Sequence, residues 1–264
     1  MIISLSSPLL WRYRPEEVLS IAAELGYEGV ELWAYQLLRD EAKPSLLARQ
    51  ASDLGLALSL HTLSWDLNFC SPLAAIRQSS LDLLRQSIDL AAALKARLAV
   101  MHPGRVTVPG DAPDDYWPLL VDGLTGLARY AAERDIPLAV EHMEPLPNEL
   151  VVGPADVKRL FAGGQDPNLL LAFDVAHAPW DVDLLTYYQQ MPAASHLHLS
   201  DASPDRRHLP LGSGQRNIER FVAQLPGRYE GLIVIEGIEH RRTTALAAAN
   251  KQAWDALIAK IKVT

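Results

Sequence analysis

The sequence predicts a single closed (β/α)8 TIM barrel, and three observations carry that prediction. Short β-rich apolar runs recur eight times along the 264 residues, spaced roughly 25 to 40 positions apart. Each run is followed by a longer segment with helical spacing, the alternation expected of βα units. No linker, low-complexity tract or charge block interrupts the series, so residues 1–264 read as one domain, a size usual for single barrels of about 250 residues.

The first run, Ile2 to Ser6, leads into PEEVLSIAAELG, whose apolar residues recur three and four apart. Gly26 follows where a left-handed C-cap belongs, and a second run begins at once, Gly29 to Trp33. SLLARQASDLG repeats the device with Gly55 before a third run, Leu56 to Thr62. SSLDLLRQSIDLAAALKA and PLLVDGLTGLARYAAERD are amphipathic helices on either side of a fourth run, Leu98 to His102. Runs at Pro137 to His142, Leu169 to Asp174, His196 to Ser200 and Leu232 to Glu236 complete the eight, and TTALAAANKQAWDALIAKI closes the chain as a helix. A G-x-G-x-x-G phosphate loop is missing after the first run, which weighs against an open dinucleotide-binding sheet.

Composition narrows the function classes. Hydrophobic residues make up 49% and charged residues 21%, and no stretch reaches the roughly 20 apolar residues of a membrane span, so no membrane partner is expected. The N-terminus lacks the basic region of an export signal, and a cytoplasmic location is the expectation. Cys70 is the one cysteine, which excludes an internal disulfide and any thiolate-rich metal site. A net charge of −8 weighs against a phosphate-tracking surface and hence against nucleic acid as partner. Locally segregated charge would escape that argument.

Six of the eight histidines fall at or just beyond a predicted strand end: His61, His102, His142, His177, His196 and His198. Glu141, Asp174 and Glu236 do the same. In a parallel barrel the C-terminal strand ends and their loops face one crevice, where active sites are built. Divalent metals without thiolates take imidazole and carboxylate ligands and keep a position open for substrate. Glu141, Asp174, His198 and Glu236 supply one such set from four successive strands. Strand alternation turns His142 away from the crevice if Glu141 faces it, and puts His196 and His198 on one face with His198 nearer the mouth.

The combination of His61, Met-His-Pro-Gly at 101–104, Glu141, Phe-Asp-Val-Ala-His at 173–177, His-Leu-Ser-Asp at 198–201, His-Leu-Pro-Leu-Gly at 208–212 and Ile-Glu-Gly at 235–237 resembles the xylose isomerase-like barrel superfamily. That superfamily holds sugar isomerases and epimerases together with the endonuclease IV branch, and the similarity runs from first strand to last. The resemblance implies a four-ligand metal site on Glu141, Asp174, His198 and Glu236. In its epimerase branch the two glutamates, here Glu141 and Glu236, exchange a proton with a carbon beside a carbonyl, while the metal holds the substrate oxygens. Lewis-acid stabilisation of an enediolate and a carboxylate on either face suit that chemistry.

The endonuclease IV branch uses more ions. His61 and His102 match its second metal, and His177 and His208 match its third. The aspartate of that third site stands as Asp-x-His in the branch, whereas here Asp205 gives Asp-x-x-His and Arg206 occupies the expected place.

Other residues carry two readings each. His61 and His177 are either ligands or groups that orient the substrate. His102 either binds or caps its strand before Pro103 and Gly104, and His208 and Asp205 lie in a charged loop where solvated side chains are common. Glu31 either reaches the crevice or pairs with a neighbour. Arg206, Arg207 and Arg241 sit in the loops after strands seven and eight, where barrels often bind phosphate, so an anionic substrate is one expectation. Trp11, Trp65, Trp117 and Trp180 fall near loops on the same side and either wall the pocket or pack.

The leading expectation is a sugar or polyol isomerase or epimerase that uses Glu141 and Glu236 around Mn²⁺, Mg²⁺, Co²⁺ or Zn²⁺, with more than one ion allowed by the histidines. The alternatives are a multi-zinc phosphodiesterase resembling endonuclease IV and a barrel that binds without turnover. Acidic charge and short predicted loops favour the first, and the full histidine set favours the second. The partner is a small sugar or sugar phosphate, and the exposed helical ring suits a homo-oligomer.

Overall fold

Eight parallel strands close into a barrel in this computed structural model, which describes residues 1–163, 166–225 and 229–263. They are β1 (Ile2–Ser6), β2 (Gly29–Trp33), β3 (Ala57–His61), β4 (Ala99–Met101), β5 (Leu138–Glu141), β6 (Leu169–Asp174), β7 (His196–Leu199) and β10 (Leu232–Ile235). Each pairs with its successor, and β1 closes on β10 with Ile2 opposite Leu232. All eight expected runs are strands, shortened by a residue at some ends.

The addition lies after β7. There β8 (Asp201–Ser203) and β9 (Arg206–Leu209) form an antiparallel hairpin above the barrel mouth, where the sequence suggested only a charged loop. The Asp201 carboxylate ties its base, accepting backbone N–H bonds from Ala202, Gly212, Gly214 and Arg216 at 2.8, 3.1, 3.0 and 3.2 Å. A side chain at Gly214 would collide with that carboxylate, its Cβ lying 2.3 Å from Oδ1.

The main helices are α1 (Pro15–Glu24), α2 (Ala34–Arg39), α3 (Pro44–Asp53), α4 (Ala74–Ala93), α5 (Pro113–Ala132), α6 (Pro154–Ala162), α7 (Leu184–Gln189), α8 (Ile218–Ala223) and α9 (Ala245–Val263). α1, α3, α5 and α6 open on proline, whose missing N–H has no partner to lose in the first turn. Gly26 and Gly55 end α1 and α3 with φ of +79° and +71°, as their C-cap role requires. α4 and α5 start about five residues earlier than the amphipathic pattern suggests, and α5 runs through Pro118. No helix among the described residues is long and apolar enough to cross a membrane.

Two apolar regions result. The larger lies between strands and helices, with Phe173, Phe221, Leu19, Leu47 and Ile88 fully buried. The smaller fills half of the barrel interior with Leu98, Val100, Ala139 and Ala172. The other half is polar: Ser4, Glu31, Ser59, His196 and His198 are all buried. Apolar burial drives both regions, whereas the polar half of the interior needs partners to offset desolvation.

Candidate metal centre

Glu141 ends β5 with its side chain inside a ring of imidazoles. Oε1 lies 3.1 Å from His198 Nδ1 and 3.4 Å from His177 Nδ1, and Oε2 lies 3.4 Å from His102 Nε2 and 3.7 Å from His61 Nε2. Glu236, one residue past β10, reaches the same His198 Nδ1 at 3.3 Å and His208 Nδ1 at 3.7 Å. Asp174 ends β6; its Oδ1 accepts the Ala176 N–H at 2.6 Å, and its Oδ2 lies 3.3 Å from His177 Nε2. The four expected ligand residues thus line one crevice, buried to within a tenth of full cover, with Glu236 reaching the others through His198.

His142 points the other way, as strand alternation requires. It stacks on Phe173 with centroids 4.6 Å apart and accepts the Asp174 N–H on Nδ1 at 3.3 Å. Its carbonyl takes a 2.9 Å bond from His177 Nδ1.

These bonds decide which lone pairs face the crevice. With Nδ1–H given to His142 O, His177 turns the Nε2 lone pair toward Asp174 Oδ2. His61 gives Nδ1–H to Thr62 O at 2.9 Å and turns its own Nε2 lone pair toward Glu141 Oε2. Acceptors face acceptors, and His61 Nε2, Glu141 Oε2 and Asp174 Oδ2 are buried without a hydrogen-bond partner among the described residues. A cation reconciles such a set, and at His177 a second proton does so too, because burial is outweighed by Asp174 and Glu141, which raise its pKa. Glu141, Asp174 and His198 offer ligand atoms within 4.8 Å of one another, and so do Asp174, His208 and Glu236. Imidazole with carboxylate is the donor chemistry of a divalent ion, so the residues fit one.

His198 is the charge on which the three carboxylates of the crevice depend. Burial alone lowers the His198 pKa, yet Glu236, Glu141 and Glu31 outweigh it and hold the imidazole well above its ordinary range. Burial raises Glu236 well above the carboxylate range, with Asp174 and Glu141 adding to it against His198. Glu141 stays well below that range despite burial, because His198 and its other histidines favour the anion. Burial pushes His102 down to about 3.

Beneath the ligands lies a residue that sequence reasoning left undecided. Glu31 on β2 is fully buried, with Oε1 3.0 Å from His198 Nε2, Oε2 2.8 Å from His196 Nε2, and the Ser59 hydroxyl donating to Oε2 at 3.0 Å. Its signal was parity: Glu31, Ser59, His196 and His198 all occupy inward positions of their strands.

The remaining expectations sort by place. His61, His102 and Glu141 form a further donor group, and Glu144, His177 and His208 another. Asp205 is exposed and belongs to neither. Trp11, Trp65 and Tyr35 wall one side of the mouth, joined by Trp33, which stacks on His61 at 4.2 Å and was missed. Trp117 instead packs in α5 under the Arg159 guanidinium, 4.0 Å from its ring. Arg241 is clamped on Glu239 at 2.8 and 3.0 Å. Arg206 and Arg207 line a cavity beside His177 and His208, together with Arg216, which the sequence did not single out.

A family model described as xylose isomerase-like TIM barrel matches residues 19–262. The chain belongs to that family. It is similar to the fructoselysine 3-epimerase of Shigella flexneri, 25% identical over 232 residues that cover 81% of this chain and 82% of the relative. Among solved structures, a D-tagatose 3-epimerase-like protein superposes with a TM-score of 0.87 at 19% identity over 100% of both chains. The 3-keto-D-glucoside 4-epimerase of E. coli gives 0.81 at 19% identity over 98% of this chain and 99% of the other.

Proposed function

We propose that this family member is a divalent-metal-dependent epimerase of keto-sugars. The observation that carries the reading is the convergence of Glu141 and Glu236 on His198 Nδ1, at 3.1 and 3.3 Å, from two different strands of one buried crevice. The kinship with epimerases named above supports the substrate class.

Glu141, Asp174, His198 and Glu236 would hold the ion, which supplies Lewis-acid stabilisation to negative charge developing on the substrate carbonyl. One glutamate removes the proton from the carbon beside that carbonyl, and the other returns a proton to the opposite face. His177 is fixed by its bond to His142 O and orients a hydroxyl between Asp174 and His208. His61 and His102 hold the other end, and the stacked Trp33 excludes water from that wall.

The test is a panel of ketoses incubated in heavy water with added Mn²⁺. Deuterium at one carbon adjacent to the carbonyl is expected, and Glu141→Gln or Glu236→Gln abolishes it while far-UV circular dichroism is unchanged. Retained exchange in either variant overturns the assignment. The donor group of His61, His102 and Glu141 favours a second reading, a multi-ion phosphodiesterase. Two or three tightly held zinc ions per chain after purification without added metal would favour it over the epimerase, and a single exchangeable ion would exclude it.

A further inference from the structure

A cavity of about 210 Å³ opens beside the metal centre, between the β6 loop and the β8–β9 hairpin. Three guanidinium groups line it: Arg206, Arg207 and Arg216. Only Arg207 has a carboxylate within ion-pair distance among the described residues, Glu144 at 3.4 Å. Glu144 and Asp205 also line the cavity, and Asp205 forms no ion pair among the described residues.

Arg216 is the informative member. It is half-buried, gives Nη1–H to Pro179 O at 3.0 Å and Nη2–H to Ala178 O, and lies 4.9 Å from the Trp180 ring. Its Nε is buried without a partner. Burial and the nearby Arg207 destabilise its charge, and Asp201 and Asp174 offset them only from a distance, since neither forms an ion pair with it among the described residues. A protein normally pairs a charge that is drawn out of water with a carboxylate. The Arg216 N–H bond to Asp201 at 3.2 Å fixes the backbone that carries the guanidinium along the cavity wall.

Position decides what the cavity serves. Ala176 and Ala178 line the cavity on either side of His177, and Arg207 precedes His208, so the cavity abuts the metal centre across these two histidines. We infer that Arg206, Arg207 and Arg216 form a subsite for an oxyanion, carboxylate or phosphate, on the part of the substrate remote from its reacting carbon. Planar guanidinium forks suit either group. The volume holds a phosphate or a carboxylate with a few linking atoms. The substrate is then an anionic keto-sugar, an inference that rests on the epimerase reading for the rest of the molecule.

The experiment uses Mg²⁺-loaded protein and three ketoses on one carbon skeleton: D-fructose, D-fructose 6-phosphate and D-fructuronate. Calorimetry is expected to give at least tenfold tighter binding for one anionic member than for D-fructose, weakening with salt. Arg206→Ala and Arg216→Lys should each cut that preference several-fold, while their Mn²⁺ affinity by electron paramagnetic resonance certifies the fold. The stronger anion identifies the source. Equal binding of all three sugars, or a preference that survives both substitutions, overturns the subsite. Deuterium exchange run in parallel separates the two readings. Exchange without anion preference sinks the subsite alone, and arginine-dependent preference without exchange in any sugar sinks the epimerase alone.

Discussion

Glu31 and His198 face each other at the centre of the barrel, Oε1 to Nε2 at 3.0 Å, while the opposite ring nitrogen faces Glu141 and Glu236. A carboxylate behind an imidazole fixes its tautomer and raises its basicity toward a metal. Glu31→Gln should therefore weaken Mn²⁺ binding about 10- to 100-fold, read by titration calorimetry. Unchanged affinity in a folded variant would remove Glu31 from the metal's support.

Acceptor facing acceptor at His61–Glu141 and His177–Asp174 predicts that a divalent ion stabilises the fold. At a hundred times its dissociation constant the gain is about 2.7 kcal/mol, a rise in melting temperature of roughly 5 to 10 °C for a chain of this size. Scanning calorimetry with Mn²⁺ and with chelator measures it. Asp174→Asn should lose most of the rise, and an equal rise in that variant would place the ion elsewhere.

His142 supplies a pH prediction with a definite sign. Burial pushes its pKa down to about 4, with His177 adding to the effect, against an ordinary value near 6.5. Between those values the unfolded chain binds the proton and the folded chain does not, so stability falls as pH drops through that window. The loss attributable to this residue reaches roughly 3 kcal/mol. His142→Phe should flatten the decline between pH 6.5 and 4 in urea titrations, and an unaltered slope contradicts the account.

Cys70 and Gly104 are locked together. A Cβ at Gly104 would lie 2.0 Å from Cys70 Sγ, so Gly104→Ala should cost about 1–3 kcal/mol through overpacking. Burial pushes the thiol up to about 12, and Cys70 should ignore thiol reagents at neutral pH until denaturant is added. Rapid labelling of the native protein would show that this loop opens.

The strands were legible because each is a compact apolar run bounded by turn residues, and Gly26 and Gly55 marked two of the joints. The convergence of Glu141, Asp174, His198 and Glu236 was legible because the barrel topology brings successive strand ends together, which turns a one-dimensional spacing into proximity. Depth was not legible. Glu31 lies nearer the base of its strand's inward face than Trp33, and only the register with Ser59 and the reach of His196 and His198 reveal its role. The β8–β9 hairpin and the Arg216 position depend on Asp201 bonding across fifteen residues, as its contact to Arg216 N shows. No local pattern encodes such a contact. Pro118 misdirected the start of α5, because proline is usually a helix opener and here sits inside one.

Asp201 also separates two kinds of change in this molecule. Since one carboxylate gathers the backbone amides at both feet of the hairpin, the residues between them can be lengthened, shortened or rewritten while the barrel keeps its register. Glu141, Asp174, His198 and Glu236 stay with the barrel strands, while Arg206, Arg207 and His208 ride on a hairpin that one side chain holds at its root.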